Sequence, residues 1–441
     1  MYLSPQKRLD IIDALARGTV PQAGLDALAV GIERLRPGFE YDLERVATGR
    51  AAFKAVRGEY GSGKTFALRW LTERARTRGF AVTEVQVSES ETPLHRLETV
   101  YRRAVEHLST EGSPKAALRD IIGAWFFQLE SDVLATGTVD ESDEAALQAA
   151  VLQQMEKRLH HVAAVSPLFA AALRGYHKAL HANDHATAEG LLAFVAGQPH
   201  VAASIRRTAG LKGDIDNDGA ANALRGLLHV MRDAGFQGMV LVLDEVETLQ
   251  RIRTDYRDKG LNSLRQLIDE LDAGRFPGLY LVISGTPAFF DGPMGAQRLP
   301  PLAQRLSTDF GPTTEFDNPM AIQVRLSGFD VSGLVEVGIR VRDIFASGAS
   351  EPERVLQRCN NAYIEQLAQA VAKGFGGKAR VAPRVFLKKL VADILQRIDL
   401  FPTFDPQQHY ALTIQKNELN AAERKAVHPD ELDLDIEENV E

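Results

Sequence analysis

The residues best suited to chemistry form a glycine-rich stretch at positions 58–65. They read Gly-Glu-Tyr-Gly-Ser-Gly-Lys-Thr and fit the Gly-x-x-x-x-Gly-Lys-Thr pattern of a phosphate-binding loop. Backbone amides can surround phosphate oxygens only where no Cβ obstructs them, and the three glycines supply that clearance. We therefore expect an ATP and Mg²⁺ site, with Lys64 on the β- and γ-phosphates and the Thr65 hydroxyl on the magnesium ion. The predicted nucleotide-binding residues of the loop are Gly58, Glu59, Tyr60, Gly61, Ser62, Gly63, Lys64 and Thr65.

Two acids follow a second informative stretch, the apolar run 239–243. Asp244 would hold the magnesium ion through water, and Glu245 would act as the general base on the attacking water. The alternative is that the two acids cap the next helix. Glu247 is a weaker candidate, which we expect to begin a helix carrying three arginines. These arginines face DNA, a neighbouring subunit or solvent, and they are Arg251, Arg253 and Arg257.

Further candidates follow the apolar run 279–283. Thr286, and after it Ser284, are placed to hydrogen-bond the γ-phosphate or the attacking water. Arg305 has the location of an arginine finger that completes a neighbour's site, and Arg298 is the other candidate for this role. The alternative is that Arg305 is an ordinary surface arginine. Arg384 would contact the γ-phosphate from a C-terminal helical lid, with Arg380 as the second choice for this role.

The segment before the phosphate loop is the candidate adenine site. Val30 and Gly31 would supply an apolar contact and a close backbone approach to the base. An ordinary helix-turn that packs on the core explains the same residues.

Hydrophobic patterning predicts the elements that must position these side chains. Short apolar runs predict five strands, near 53–57, 80–87, 239–243, 279–283 and 323–326. A helix over 65–76 follows the phosphate loop, and amphipathic stretches fill 94–236. Helices are also expected over 330–346 and 351–372, and another opens near 382 with Pro383 in its first turn.

These elements predict an α/β protein with a five-stranded parallel sheet, a large helical insertion and a C-terminal helical lid. The predicted regions are an N-terminal segment (1–50), an α/β core (51–329) with its insertion at about 94–236, a lid (330–400) and an extension (401–441).

Composition narrows the class of protein. No stretch approaches 18 consecutive apolar residues and the N-terminus lacks a secretory signal, which favours a cytoplasmic protein. Cys359 is the only cysteine and is expected to be a packing residue. The net charge is −8, but the tail 429–441 holds seven acids without Lys or Arg, so residues 1–428 total about −1. Net charge therefore decides nothing about DNA.

Two apparent metal motifs carry little weight. The run 214–219 mimics the start of a calcium loop but has Arg225 where a bidentate Glu belongs, so we expect its acids to cap a helix. The histidines of the insertion lack partnered carboxylates and are read as solvated or packing residues.

The order of these motifs resembles that of the AAA+ ATPases, particularly the branch that includes the Orc and Cdc6 proteins. More narrowly, the chain resembles the BrxD ATP-binding proteins of BREX phage-defence systems. The stretches that carry the resemblance are Val20-Pro21, Gly24-Leu25, 29–31, 58–66 with Phe66 beside the nucleotide, 243–249, 284–287 and Pro383-Arg384.

The resemblance implies an ATPase that acts on double-stranded DNA, assembles as a homo-oligomer and works with a superfamily-two helicase as its loader or regulator. A winged-helix DNA reader does not fit residues 398–441. The alternative function is an ATP-gated signalling or scaffold protein without direct action on DNA.

Overall fold

A five-stranded, wholly parallel sheet forms the centre of the fold, as the sequence predicts. The computed structural model of the chain describes residues 3–140, 142–375 and 383–412, with Leu419 and Arg424. Arg380 and the acidic tail therefore lie outside the described residues. The strands follow the order β2-β3-β4-β1-β5, and their bounds are β1 Ala52–Arg57, β2 Ala81–Gln86, β3 Met239–Asp244, β4 Leu279–Gly285 and β5 Gln323–Arg325.

Helices cover both faces of the sheet, and further helices form the insertion and the lid. In chain order the α-helices are α1 Pro5–Ala16, α2 Arg36–Ala47, α3 Lys64–Thr77, α4 Leu97–Glu106, α5 Leu118–Ala135, α6 Glu144–Val165, α7 Pro167–His181, α8 His185–Val195, α9 Ala203–Thr208, α10 Asn217–Asp233, α11 Thr254–Asp272, α12 Pro287–Asp291, α13 Pro300–Arg305, α14 Val331–Ala346, α15 Pro352–Arg358, α16 Asn361–Gly374, α17 Pro383–Lys388, α18 Gln396–Leu400 and α19 Pro406–His409. Short 3₁₀ helices span Leu25–Leu28, Val246–Gln250 and Ala296–Arg298, and a π-helical stretch spans Lys389–Leu395.

The two faces of the sheet belong to different hydrophobic cores. Alternate residues of a strand point to opposite faces. Val240 and Tyr280 therefore pack in one core with residues of α2 and α3, while Leu241 and Leu281 pack in another with residues of α4 to α11. Burial on both faces explains why β3 and β4 are nearly continuous apolar runs.

The helical insertion is continuous with the sheet. Trp125 of α5 and Leu227 of α10 belong to the same core as Leu241 of β3. The Trp125 indole donates to Asp233 at 2.7 Å, and this carboxylate also pairs with Arg158. As predicted for the calcium-like run, Asp216 caps α10 by accepting the amide of Gly219 at 2.8 Å.

The lid contains a third hydrophobic core, which is formed by α14 to α18 and by α1. Ile11, Ile12 and Leu15 of α1 pack in this cluster, with Phe386 of α17 among its members. Downstream of α1 the chain is attached to the sheet domain, because Glu73 of α3 accepts the backbone amides of Gly24 and Leu25 at 2.6 and 2.9 Å.

One helix prediction in the lid is wrong. Residues 351–372 form two helices, α15 and α16, where the sequence pattern suggested one. The break lies at Cys359 and Asn360, and the Asn360 side chain caps α16 by accepting the amide of Tyr363 at 3.0 Å. Cys359 is fully buried in the lid core, which confirms its packing role. Within the described residues no helix is both long and apolar enough to cross a membrane.

Candidate nucleotide site

The phosphate loop connects β1 to the first turn of α3. Gly63 has φ 92°, a left-handed conformation that glycine adopts without steric cost, and it directly precedes α3. At Gly58 a Cβ would collide with the Ser62 hydroxyl, so a larger residue there would require the Ser62 side chain to move. The free amides at the start of α3 thus face the loop, as anion binding requires.

Lys64 is buried within the loop that it serves. Its ammonium group donates to the carbonyl oxygens of Gly58 at 2.8 Å and Glu59 at 3.3 Å, and it lies 5.2 Å from the centre of the Tyr60 ring. Burial lowers the pKa of Lys64, while the nearby carboxylates, Glu247 first among them, act to raise it. The ammonium group is therefore held beside the backbone amides that are predicted to bind phosphate.

The two predicted magnesium ligands lie side by side. The Thr65 hydroxyl donates to Asp244 Oδ2 at 3.4 Å, and the other Asp244 oxygen accepts from the Ser284 hydroxyl and from the Glu245 amide at 3.0 Å. No cluster of three or more metal-ligating side chains occurs in the part of the chain that the structure describes. A hydroxyl and a carboxylate fit Mg²⁺, which takes few protein ligands and completes its shell with water and phosphate.

Glu245 is fixed by its backbone and by the neighbouring strand. Its φ of 60° is unusual for a residue with a side chain. Its Oε2 accepts a hydrogen bond from the side-chain amide of Gln86 at 2.9 Å. This contact follows from the pairing of β2 with β3, which places Gln86 opposite Asp244.

Sequence reasoning undervalued Glu247. It lies in the 3₁₀ helix after β3 and is only 4% exposed, and neither carboxylate oxygen has a hydrogen-bond partner. Burial raises the pKa of Glu247, while Lys64 acts in the opposite direction. The spacing Asp-Glu-x-Glu was visible in the sequence, but the inward direction of the third acid depends on the turn.

A cavity of about 320 Å³ joins these residues to the lid. Arg384 lines it from α17, and its guanidinium group lies close to Gly18. The shared lining includes the loop, the acids and an apolar side, namely Gly18, Val20, Leu28, Tyr60, Lys64, Thr65, Asp244, Glu245, Glu247, Val337, Arg384 and Leu387. The structure thus brings predicted loop, acid and lid residues together.

Val30 and Gly31, the predicted adenine contacts, line an adjacent cavity of about 290 Å³. Phe66 and Phe329 line both cavities, so the second one borders the same loop and lid. The adenine assignment stays a prediction, with the apolar side of the first cavity as its alternative.

Other predicted residues lie outside the cavity. Thr286 is buried at the start of α12, and its side chain does not cap that helix. Arg305 pairs with Asp269 and donates to the Pro301 carbonyl at 2.7 Å, while Arg298 pairs with Asp258.

The expectation that Arg257 faces DNA, a neighbouring subunit or solvent is wrong. Its side chain is buried, and it donates to the carbonyl oxygens of Leu249, Gln250 and Ile252. Arg257 therefore fixes the chain that follows Glu247.

Comparison with known proteins agrees with this geometry. Residues 3–414 match the family described as BREX system ATP-binding protein BrxC/D. The match does not separate BrxD from BrxC. No match was found among the curated proteins. Since the matched region covers nearly all 441 residues, the chain belongs to the BrxC/D family of BREX system ATP-binding proteins.

Proposed function

We propose that this protein is a Mg²⁺-dependent ATPase with the AAA+ arrangement of sheet and lid. The contact between Thr65 and Asp244, beside Lys64 and below Arg384, carries the proposal. Membership in an ATP-binding family supports it. The sheet order supports it as well, because β4 lies between the loop strand and the acid strand and delivers Ser284 to Asp244.

Each side chain has a definite task in the proposed reaction. Lys64 and the loop amides bind the β- and γ-phosphates, and Arg384 binds the γ-phosphate from the lid. Thr65 and Asp244 would hold Mg²⁺, which when bound would offset negative charge on the phosphate oxygens. Ser284 keeps Asp244 in one orientation through its hydrogen bond.

Glu245 acts as the general base in this scheme. Gln86 occupies Oε2, so Oε1 is the oxygen that we expect to accept a proton from the attacking water. Thr286 at the end of β4 remains our candidate for orienting that water or the γ-phosphate.

Within phage defence we assign the chain to the BrxD type, on the resemblance of its loop, acid and lid motifs. We propose that it acts on DNA as loader or regulator of a superfamily-two helicase, and that it works as a homo-oligomer. The hydrogen bond from Gln86 to Glu245 also suits the alternative, a slow ATP-gated scaffold, since it restrains the base.

Nucleotide binding and turnover test the proposal separately. Lys64→Ala should abolish binding of a fluorescent ATP analogue, while Glu245→Gln should bind it and hydrolyse ATP at least about 100-fold more slowly. Normal affinity in Lys64→Ala would refute the loop assignment, and unchanged turnover in Glu245→Gln would remove Glu245 as base. Adding duplex DNA or the partner helicase then separates the two functions, because a scaffold should show no stimulation of turnover.

A further inference from the structure

A second, polar groove of about 640 Å³ lies away from the nucleotide cavity and shares no lining residue with it. It runs between the segment before α4, the first turn of α10 and one side of α11. Its cationic and aromatic lining residues are His95, Arg96, Tyr256, Lys259 and Arg265, of which Arg265 pairs with Asp269. Asn217 connects two walls of the groove, since its side chain accepts the amide of Leu97 and donates to the His95 carbonyl.

An aromatic pair forms the centre of this groove. The rings of His95 and Tyr256 stack with centroids 4.9 Å apart and an interplanar angle of 21°. Tyr256 is 38% exposed, and the cationic groups of Arg253 and Lys259 lie 5.4 and 5.9 Å from its ring centre. Flat rings surrounded by exposed cations are the features with which proteins hold unpaired bases and their phosphates.

We propose that this groove binds single-stranded DNA. Arg96, Arg253 and Lys259 would contact phosphates, and one base would extend the stack of His95 and Tyr256. The bases of a duplex are already stacked on both sides, so an aromatic platform selects an unpaired strand. Two acids are also close, because Glu98 lines the groove and Asp255 pairs with Arg253. With cations exceeding these acids, the groove attracts a polyanion.

The groove is connected to the catalytic acids by short segments. β2 ends at Gln86, which holds Glu245, and the chain then runs to His95. After β3 the chain passes Arg251, which donates to the Tyr60 hydroxyl at 2.9 Å, and enters α11 with Tyr256. A bound strand would therefore contact both segments that position Glu245, the proposed general base. It should thus change the rate of ATP hydrolysis. That rate effect rests on the proposed function, whereas binding itself does not.

Fluorescence anisotropy with a fluorescein-labelled oligothymidine at low salt tests the binding. We expect Tyr256→Ala to weaken binding about 5- to 100-fold. Lys259→Ala should reduce the slope of log affinity against log salt by about 0.7. The matched control is Tyr41→Ala, because Tyr41 is 49% exposed and carries Arg45 over its ring at 5.9 Å but lies on α2. Tyr41→Ala should bind as wild type does.

Several results would overturn the proposal. They are failure of the wild-type protein to bind the oligonucleotide, wild-type affinity in Tyr256→Ala, and equal weakening in Tyr41→Ala. A labelled duplex that shows the same dependence on Tyr256 would overturn the preference for a single strand. Tyr256→Ala should keep its affinity for a fluorescent ATP analogue, which shows that it is folded. Tyr256-dependent binding by a protein without ATPase activity would refute the proposed function and leave this inference standing.

Discussion

Glu247 is a buried acid for which the fold supplies no partner among the described residues. A buried polar group left without a hydrogen bond costs about 1 to 3 kcal/mol. The carboxylate lines the cavity of the proposed nucleotide site with Lys64, Asp244 and Glu245, so its cost is incurred where we propose that catalysis takes place. Residues of this kind often reduce stability in favour of function.

Glu247→Gln should therefore stabilise the protein, and more so as the pH rises. A carboxyl group with a raised folded-state pKa is favourable below its unfolded pKa and loses that contribution as pH rises through the folded value. Glutamine has the same shape without the charge. We expect the melting temperature of the variant to exceed the wild-type value by a margin that grows as the pH rises above about 4.5, the ordinary pKa of a glutamate, with a gain of about 1 to 3 kcal/mol.

Glu130→Gln provides the comparison, because Glu130 is exposed on α5. Its effect should be near zero at every pH. A pH-independent effect of Glu247→Gln would show that burial of the charge is not the cause.

At the scale of residues, the sequence predicted those parts of the site that lie in short contiguous motifs. The loop at 58–65 and the acids Asp244 and Glu245 are contiguous motifs, and the structure brings them together as expected. Contacts that depend on the pairing of distant strands were not foreseen. Gln86 reaches Glu245 only because β2 and β3 pair in one register, and no local pattern encodes that register.

At the scale of elements, α7 carries a histidine that should make the helical insertion sensitive to acid. His177 packs against Phe126 of α5 with ring centroids 5.1 Å apart, and its Nε2 lies 3.0 Å from Nε2 of His181. Burial, with a contribution from His181, lowers the pKa of His177 to about 4.

Acid should weaken this packing. Between pH about 6.5 and 4 an unfolded histidine takes up a proton that folded His177 does not, so the free energy of unfolding falls as pH falls. Allowing for its partial exposure, we expect a loss of about 1 kcal/mol between pH 7 and pH 5. Urea unfolding at the two pH values, followed by circular dichroism, measures it.

His177→Gln should remove that part of the pH dependence. His185→Gln should not, because His185 is exposed at the start of α8. Identical pH dependence in wild type and His177→Gln would contradict the assignment.

The elements themselves were largely predictable, β3 and β4 most directly because they are buried on both faces and read as apolar runs. The boundaries of the elements were less predictable. The region 351–372 has continuous helical spacing, yet Asn360 caps a new helix there because its side chain binds the backbone locally. The groove beside α11 was not predicted, since it requires His95, Asn217 and Tyr256 to come together from distant parts of the chain.

At the scale of the whole molecule, Arg305 raises the question of assembly. It is tied to Asp269 within its own chain, so an arginine finger would have to exchange this partner for a neighbour's phosphate. We predict that Arg305→Ala lowers turnover at least about 100-fold without weakening ATP binding, as loss of a finger does. Turnover and ATP-analogue affinity should be measured together with the native mass.

Mixing provides the control for action between subunits. Arg305→Ala mixed with Lys64→Ala should recover activity, because the second protein supplies Arg305 to the first protein's intact loop. Arg298→Ala tests the other candidate, which pairs with Asp258. Full activity of Arg305→Ala alone would exclude it as the finger.

The first residues of the chain are divided between two bodies. α1 packs into the lid, while Gly24 and Leu25 are bound to α3 of the sheet domain. The intervening Gly18 and Val20 line the nucleotide cavity. The N-terminal segment thus connects the lid to the sheet domain. A protein shortened to begin at β1 would lose one wall of its cavity, and the apolar residues of the lid that α1 covers would become exposed.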